Sequence, residues 1–209
     1  MKTLCVIPVF NEDNKLNNLI NQMKTNDYKK YGLNYIFVNN GSTDNSLEII
    51  KNNNFKFLNL KKNMGVGYAL ILGYLFAKKY KYDYIIHLAG NGKMSPSDIE
   101  KFMISIINED YDFISGSRFL KYSSRKKNPI HRLVLIKLFS IFISFLVKKK
   151  ITDSTCGFRA FKVNIFKNFK RNFLNKNLFT YGYEYFSYGK ILKNNNIKFT
   201  EVPISMDYP

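Results

Sequence analysis

The chain has 209 residues, 45% hydrophobic and 23% charged, a composition that excludes a disordered or fibrous polymer and allows one domain with a real core. Lys and Arg number 33 against 15 Asp and Glu, for a formal net charge of +18. That excess favours anionic partners (nucleic acid, anionic lipid or phosphorylated substrates), unless it is compositional drift spread over the surface.

Met1-Lys2-Thr3 runs straight into an apolar strand, Leu4-Cys5-Val6-Ile7-Pro8, without a secretory leader. Leu16, Leu19, Ile20 and Met23 then recur at helical spacing, and Tyr35-Ile36-Phe37-Val38 reads as a second strand. Asn45 and Glu48 are spaced as a capping box for a helix through Leu47, Ile49 and Ile50. A third strand is expected over 55–60, a helix over 66–79, and a fourth strand at Tyr84-Ile85-Ile86-His87-Leu88. Ser95 and Pro96 mark a helix start, as cap and first-turn residue, and Asp112-Phe113-Ile114-Ser115 reads as a fifth strand. Cys5 and Cys156 are the only cysteines, far apart and without metal spacing, which fits a reducing compartment.

This alternation predicts an α/β fold, a mostly parallel sheet with helices on both faces. Ligands bind such sheets beyond the carboxyl ends of the strands. The turn-rich clusters at 8–12, 39–44, 89–93 and 116–118 each follow a strand, so they should converge on one rim. In the second half, Arg125-Lys126-Lys127 and Arg132 precede an apolar run at 133–147, which Lys137 interrupts and Lys148-Lys149-Lys150 closes. A span needs ~20 apolar residues, so the run is expected to lie on a membrane surface, anchored by apolar insertion and by lysine attraction to anionic lipid. A core helix or a homo-oligomer interface is the alternative. An aromatic-rich helix over about 183–193 and a strand ending near Pro203 close the chain, with no linker to mark a second domain.

Several segments together resemble the family 2 glycosyltransferases, in the branch of polyprenyl-phosphate sugar transferases that includes dolichyl-phosphate mannose synthase. They are Val6-Ile7-Pro8-Val9-Phe10-Asn11-Glu12, Val38-Asn39-Asn40-Gly41-Ser42-Thr43-Asp44, and Asn63-x-Gly65-x-Gly67-x-Ala69 with Gly73 and Ala77. Ser115-Gly116-Ser117-Arg118, Asp153-Ser154-Thr155-Cys156-Gly157-Phe158-Arg159 and Glu201-Val202-Pro203 follow in order. The resemblance spans the chain and implies a single glycosyltransferase A-type domain over 1–209, with a nucleotide-sugar half at 1–120 and an acceptor half at 121–209. It implies inverting transfer from a nucleotide-diphosphate sugar to a lipid phosphate, by a peripheral protein at the cytoplasmic face of a membrane. Pro8, Phe10, Glu12, Asn39, Asn40, Ser42, Gly65, Gly67, Ala69, Ala89 and Asn91 would lie on the donor side, and Arg118, Arg132 and Arg159 would hold the acceptor phosphate.

Read as residues, some of these positions have plainer explanations. Gly65 and Gly67 suit either close backbone approach of a phosphate to a helix start or close packing, and Gly73 and Ala77 suit packing at least as well. Pro8 and Glu12 also read as a strand terminator and a first-turn acid. Asn39 and Asn40 stand where the family usually has aspartates. A carboxamide offers one donor and one acceptor, matching uracil's edge, so a UDP-sugar is favoured over a GDP-sugar.

The larger departure is Ala89-Gly90-Asn91-Gly92-Lys93, where the family usually carries an Asp-x-Asp pair on Mg²⁺ or Mn²⁺. Hard cations want charged oxygens, and Asn91 is the only candidate ligand, so no metal is expected. Lys93 would instead neutralise the leaving diphosphate. A phosphate acceptor already carries ~1.5 to 2 negative charges, so no general base is required. Asp153 is either a base for a hydroxyl acceptor or an anchor for Arg159, and His87 and His131 read as structural. The competing readings are a catalytically impaired scaffold, favoured by the missing aspartates, and a transferase acting on a glycan hydroxyl. Nucleic-acid binding is disfavoured because the tyrosines fall within apolar segments rather than among exposed basic residues. A sugar nucleotidyltransferase should have its glycine-rich loop after the first strand, where 8–12 stands instead.

Overall fold

Residues 1–26, 28–124, 129–169, 175–180 and 182–206 are described by the computed structural model; Arg125, Lys126 and Lys127 of the basic flank lie outside them. The described residues form strands β1 (Thr3–Val9), β2 (Leu33–Asn39), β3 (Phe57–Asn59), β4 (Tyr84–His87), β5 (Phe113–Ser117), β6 (Arg159–Lys162) and β7 (Phe199–Pro203). Helices α1 (Asp13–Thr25), α2 (Ser46–Asn52), α3 (Val66–Lys79), α4 (Ile99–Glu109), α5 (Ile130–Val147) and α6 (Gly182–Leu192) connect or follow them. The strands make one sheet in the order β3-β2-β1-β4-β6-β5-β7. β6 is antiparallel to both its neighbours, β4 and β5, and the other pairings are parallel.

β1 is apolar along its length because both its faces are covered. Cys5, Ile7 and Val9 pack with Leu16, Leu19 and Ile20 of α1 and Phe102 of α4. Leu4 and Val6 pack on the other side with Leu70 and Tyr74 of α3 and Tyr188 of α6. Gly73 sets the depth of α3 on the sheet: an added Cβ would lie 2.3 Å from Val6 Cγ1. Gly73 is therefore a packing glycine. Cys5 and Cys156 are free, buried thiols.

Several boundaries differ from the sequence expectation. β3 shrinks to three residues at the sheet edge. Asn45 occupies the N-cap of α2 but makes no side-chain cap. Its neighbour Asp44 does the bonding, accepting from Ser46 N (3.0 Å) and from Asp13 N (3.1 Å), so it ties the second loop to α1. Ser95 likewise gives no backbone cap; Pro96–Asp98 forms a 3-10 turn and α4 begins at Ile99.

α5 is longer than the apolar run that marks it. Its 18 residues rise about 27 Å at 1.5 Å each, enough by length and composition to cross a bilayer. The expectation that the segment is too short is corrected accordingly. A core helix is also the wrong description, since only Ile136, Ser140 and Val147 are buried. Polar bonds pin that narrow stripe: Ser140 Oγ accepts from Ser154 N (2.9 Å) and Ser144 Oγ from Ile151 N (3.0 Å). Leu135, Leu138, Ile141, Phe142 and Phe145 stand exposed on the opposite side.

The unforeseen element is β6, four residues with no periodicity of their own. Its partners place it: Arg159 pairs with His87 of β4 and with Ser115 of β5. Running antiparallel, it starts at the carboxyl ends of its neighbours and carries the 153–158 segment to the rim. A buried ion pair anchors that segment. Arg118 grips Asp153 through Nε to Oδ2 (2.6 Å) and Nη2 to Oδ1 (2.8 Å), and Arg118 N also donates to Oδ2 (3.1 Å). Glu201 supports it from β7, accepting from Thr152 N (2.9 Å) and Asp153 N (3.1 Å), with its carboxyl pKa raised by burial.

Removing one member of such a pair leaves an uncompensated buried charge. Asp153→Ala is expected to lower unfolding stability by roughly 3–5 kcal/mol in urea titrations, with less than about 1 kcal/mol contradicting this assignment.

Candidate functional site

The carboxyl ends of β1, β2 and β4 open into a cavity of about 710 Å³, closed by the start of α3, the first turns of α5 and the 155–157 segment. Pro8, Phe10, Glu12, Asn40, Gly65, Ala89, Asn91, Lys93 and Arg132 line it. Asn39, Ser42, Gly67, Ala69, Arg118, Asp153 and Arg159 do not, each for a local reason.

Asn39 spends its carboxamide within the sheet edge, donating to Asn59 Oδ1 (2.7 Å) and accepting from Ser42 N (3.4 Å). Ser42 Oγ accepts from Asn11 N (3.1 Å), tying the second loop to the first. Asn40 reaches the cavity wall, but both halves of its side chain hold the 63–64 segment: Nδ2 donates to Asn63 Oδ1 (2.9 Å) and Oδ1 accepts from Met64 N (3.0 Å). Ala69 is core.

Gly65 and Gly67 serve packing rather than phosphate approach. Gly65 has φ +91°, and a Cβ there would lie 2.1 Å from the Phe179 carbonyl oxygen; one at Gly67 would lie 2.0 Å from that of Leu178. The Phe179 carbonyl also accepts from Tyr68 N (3.1 Å), satisfying an amide of the α3 start that an anion would otherwise need. Thr180, beside it, becomes part of the cavity wall.

The acceptor side needs a larger correction. Arg118 and Asp153 are consumed by their ion pair, so Asp153 anchors Arg118 and not Arg159. Arg159 is buried, donates to the Ser154 carbonyl (3.1 Å), and lies 4.4 Å from the Tyr188 ring centroid. Both arginines hold the 153–159 segment. Arg132, on the first turn of α5, alone among the three expected arginines lines the cavity.

The turn after β4 is rigidly placed. Gly90 N donates to the Pro8 carbonyl (3.2 Å), and a Cβ on Gly90 would sit 2.7 Å from that oxygen. Gly92 has φ +67°, and Asn91 Oδ1 turns back to accept from Lys93 N (3.1 Å). Among the described residues Glu12 is the one carboxylate on the cavity wall, and its Oε2 faces Lys15 Nζ at 3.3 Å. A hard divalent cation would thus meet, among the described residues, one paired carboxylate, a neutral carboxamide oxygen, and the cations Lys93 and Arg132. Among the described residues no three His, Cys, Asp or Glu cluster as metal ligands. The residues present do not fit the Mg²⁺ or Mn²⁺ that the resemblance implies.

The cavity wall also includes His87, which the sequence reads as structural, Asn63, Thr155 and Gly157, which it marks only as motif members, and Thr180, which it does not mark. His87 is the most informative. It is 4% exposed, its Nε2 has no hydrogen-bond partner, and its ring meets Phe161 edge-on at 4.9 Å. Burial, with Arg159 adding, pushes its pKa down from 6.5 to about 3, so the imidazole is neutral. A polar residue closing an apolar strand at the rim was the signal available.

The chain is similar to known proteins over most of its length. Residues 4–169 match the family model described as Glycosyl transferase family 2. A UDP-N-acetylglucosamine–dolichyl-phosphate N-acetylglucosaminyltransferase of Methanococcus voltae is 32% identical, over 97% of this chain and 84% of that protein. The polyprenol monophosphomannose synthase of Mycolicibacterium smegmatis is 22% identical, over 77% of this chain and 62% of that one. Among solved structures, S. aureus TarS in complex with UDP superposes with a TM-score of 0.69 at 13% identity, and the chain spans 61% of that structure's length.

The depressed His87 pKa has a pH signature. The unfolded chain takes up the proton first, so this contribution is full above about pH 6.5 and declines as the pH falls toward 3. Between pH 7 and 5 it amounts to about 2 kcal/mol. Urea unfolding of His87→Gln should therefore lose about 2 kcal/mol less over that interval than the unmodified chain; parallel curves would contradict it.

Proposed function

The chain belongs to the family 2 glycosyltransferases, and from that membership we propose that it transfers a sugar from a nucleoside diphosphate to a polyprenyl phosphate at a membrane surface. The observation that carries this reading is that one helix supplies both halves of an acceptor site. Arg132 of α5 lines the cavity, and exposed apolar side chains of the same helix flank it, Ile130 before it and Val134 and Leu135 after it. A lipid with its chain along that face would bring its phosphate to the cavity mouth.

The chemistry then requires little from the protein beyond position and charge. A phosphate oxygen of the acceptor attacks the anomeric carbon, and the carbon–oxygen bond to the diphosphate breaks with its electron pair on the β-phosphate. Direct displacement inverts the anomeric configuration. Two charges on the acceptor and two on the donor become one on the glycosyl phosphodiester and three on the departing nucleotide. No proton changes hands, so no base is needed. Arg132 positions the acceptor by a charge-assisted contact. Arg118 and Arg159, first read as acceptor ligands, act here by fixing the segment that bears Thr155 and Gly157.

For the donor base we favour uridine. The support is the Methanococcus voltae relative, which is named for a UDP-sugar; Asn40, whose carboxamide holds the 63–64 segment, contributes no contact to the base. Membrane docking rests on the exposed residues of α5 and on Lys148 and Lys150 beyond its end.

With polyprenyl phosphate in anionic vesicles and a panel of UDP- and GDP-sugars, the protein should form a lipid-linked, acid-labile sugar. Donor hydrolysis alone, or transfer only to glycan hydroxyls, would contradict the proposal. Arg132→Ala should cut kcat/KM for the lipid acceptor at least about tenfold. Combining Leu138→Ser, Phe142→Ser and Phe145→Ser should abolish vesicle flotation while leaving the melting temperature nearly unchanged, because these side chains are exposed.

A further inference from the structure

Resting on the donor reading above, we propose that this site works without a divalent cation, and that the Lys93 ammonium on the turn after β4 neutralises the departing diphosphate. Ala89 and Asn91 stand where the carboxylate pair is missing, and Lys93 follows two residues on, on the same turn at the carboxyl end of a central strand and on the wall of the donor cavity.

Three independent features fix the turn that presents Lys93. Gly90 is packed against the Pro8 carbonyl, Gly92 takes a left-handed conformation, and the Asn91 carboxamide closes the turn onto Lys93 N. The lysine stem therefore departs from a rigid point, as an electrostatic catalyst should, since a preoriented charge needs no reorganisation when the reaction occurs. Asn91 itself offers a neutral carboxamide oxygen where a hard cation wants a charged one. Among the described residues Glu12 is the acid on the wall, facing Lys15, and Lys93 and Arg132 are the wall's cationic side chains.

That distribution matches the charge that moves. When the bond from the anomeric carbon to the β-phosphate oxygen breaks, the nucleotide goes from two negative charges to three, with the added charge on that oxygen. A fixed ammonium there lowers the energy of the separating state more than that of the intact donor, which is the condition for catalysis. A divalent ion at the same place would be repelled by the lysine and held by a single carboxylate. Arg132 at the mouth and Lys93 deeper in would divide the work, one on the incoming phosphate and one on the outgoing.

Binding of UDP and of GDP to the full chain can be measured by calorimetry, once in excess EDTA and once with Mn²⁺. At least one nucleotide should bind in EDTA with an affinity within about twofold of that in Mn²⁺. Lys93→Met should weaken that binding at least about tenfold, and Lys93→Arg should retain most of it. Introducing Ala89→Asp together with Asn91→Asp should create a Mn²⁺ response that the unmodified chain lacks. Binding that requires Mn²⁺ in the unmodified chain would overturn the inference and leave the donor reading intact; this arm needs no variant. Unchanged affinity in a folded Lys93→Met protein would overturn it as well. Failure of both nucleotides to bind under either condition would remove the donor reading and this inference together.

Discussion

The buried pairing of Arg118 with Asp153 determines which residues reach the rim of this sheet. Arg118 immediately follows β5 and Asp153 opens the segment leading into β6, so their bond joins the two where β6 enters against the direction of its neighbours. An antiparallel strand at that place reverses the rule for locating a site. Between β4 and β5 it is the start of β6, not the end of β5, that faces the ligand. Thr155 and Gly157 consequently occupy the wall that 116–118 would have supplied in an all-parallel sheet. Glu201 braces the arrangement from the far strand, at the cost of a carboxylate buried enough to bind its proton more tightly than usual.

Given that frame, the chemistry of the cavity follows from where charge is allowed. Acids are absent from the turn after β4, and among the described residues the one acid on the wall is paired. His87 lies beneath the cavity as a neutral ring, desolvated and beside Arg159. Among the described residues the positive charge on the wall stands in two places, Lys93 on a pinned turn and Arg132 on α5. A glycosyltransferase whose acceptor is already an anion needs little more than that. α5 joins this chemistry to a surface: held to the domain by a narrow serine stripe, it turns a broad apolar side outward.

The parts of this fold legible in the sequence are those set by local pattern. β1, β2 and β4 announce themselves because two-sided burial makes them continuously apolar, and α3 runs over the residues its periodicity marks. Pro8, Phe10, Glu12, Asn40, Ala89, Asn91 and Lys93 were also legible as cavity residues, since each follows a parallel strand. Non-local pairing was not legible. β6 is placed by its partners, and nothing in Arg118 or Arg159 distinguishes a guanidinium that will be buried from one that will meet a phosphate. Gly65 and Gly67 looked the same whether a phosphate or the 178–180 turn was to approach them, and only the tertiary fold supplies the turn. α5 was under-measured because the count stopped at the basic flank, whereas Ile130 and His131 continue the helix.

The central claim is that fixed cationic side chains, rather than a bound ion, meet the diphosphate at the ends of these strands. The most direct measurement is a crystal structure of the protein grown with nucleoside diphosphate and Mn²⁺, with data collected at the manganese absorption edge. The account predicts phosphate density within hydrogen-bonding distance of Lys93 Nζ and no anomalous peak between phosphate and protein. A manganese peak bridging the phosphates to Glu12 or Asn91, or a nucleotide seated away from this cavity, would contradict it.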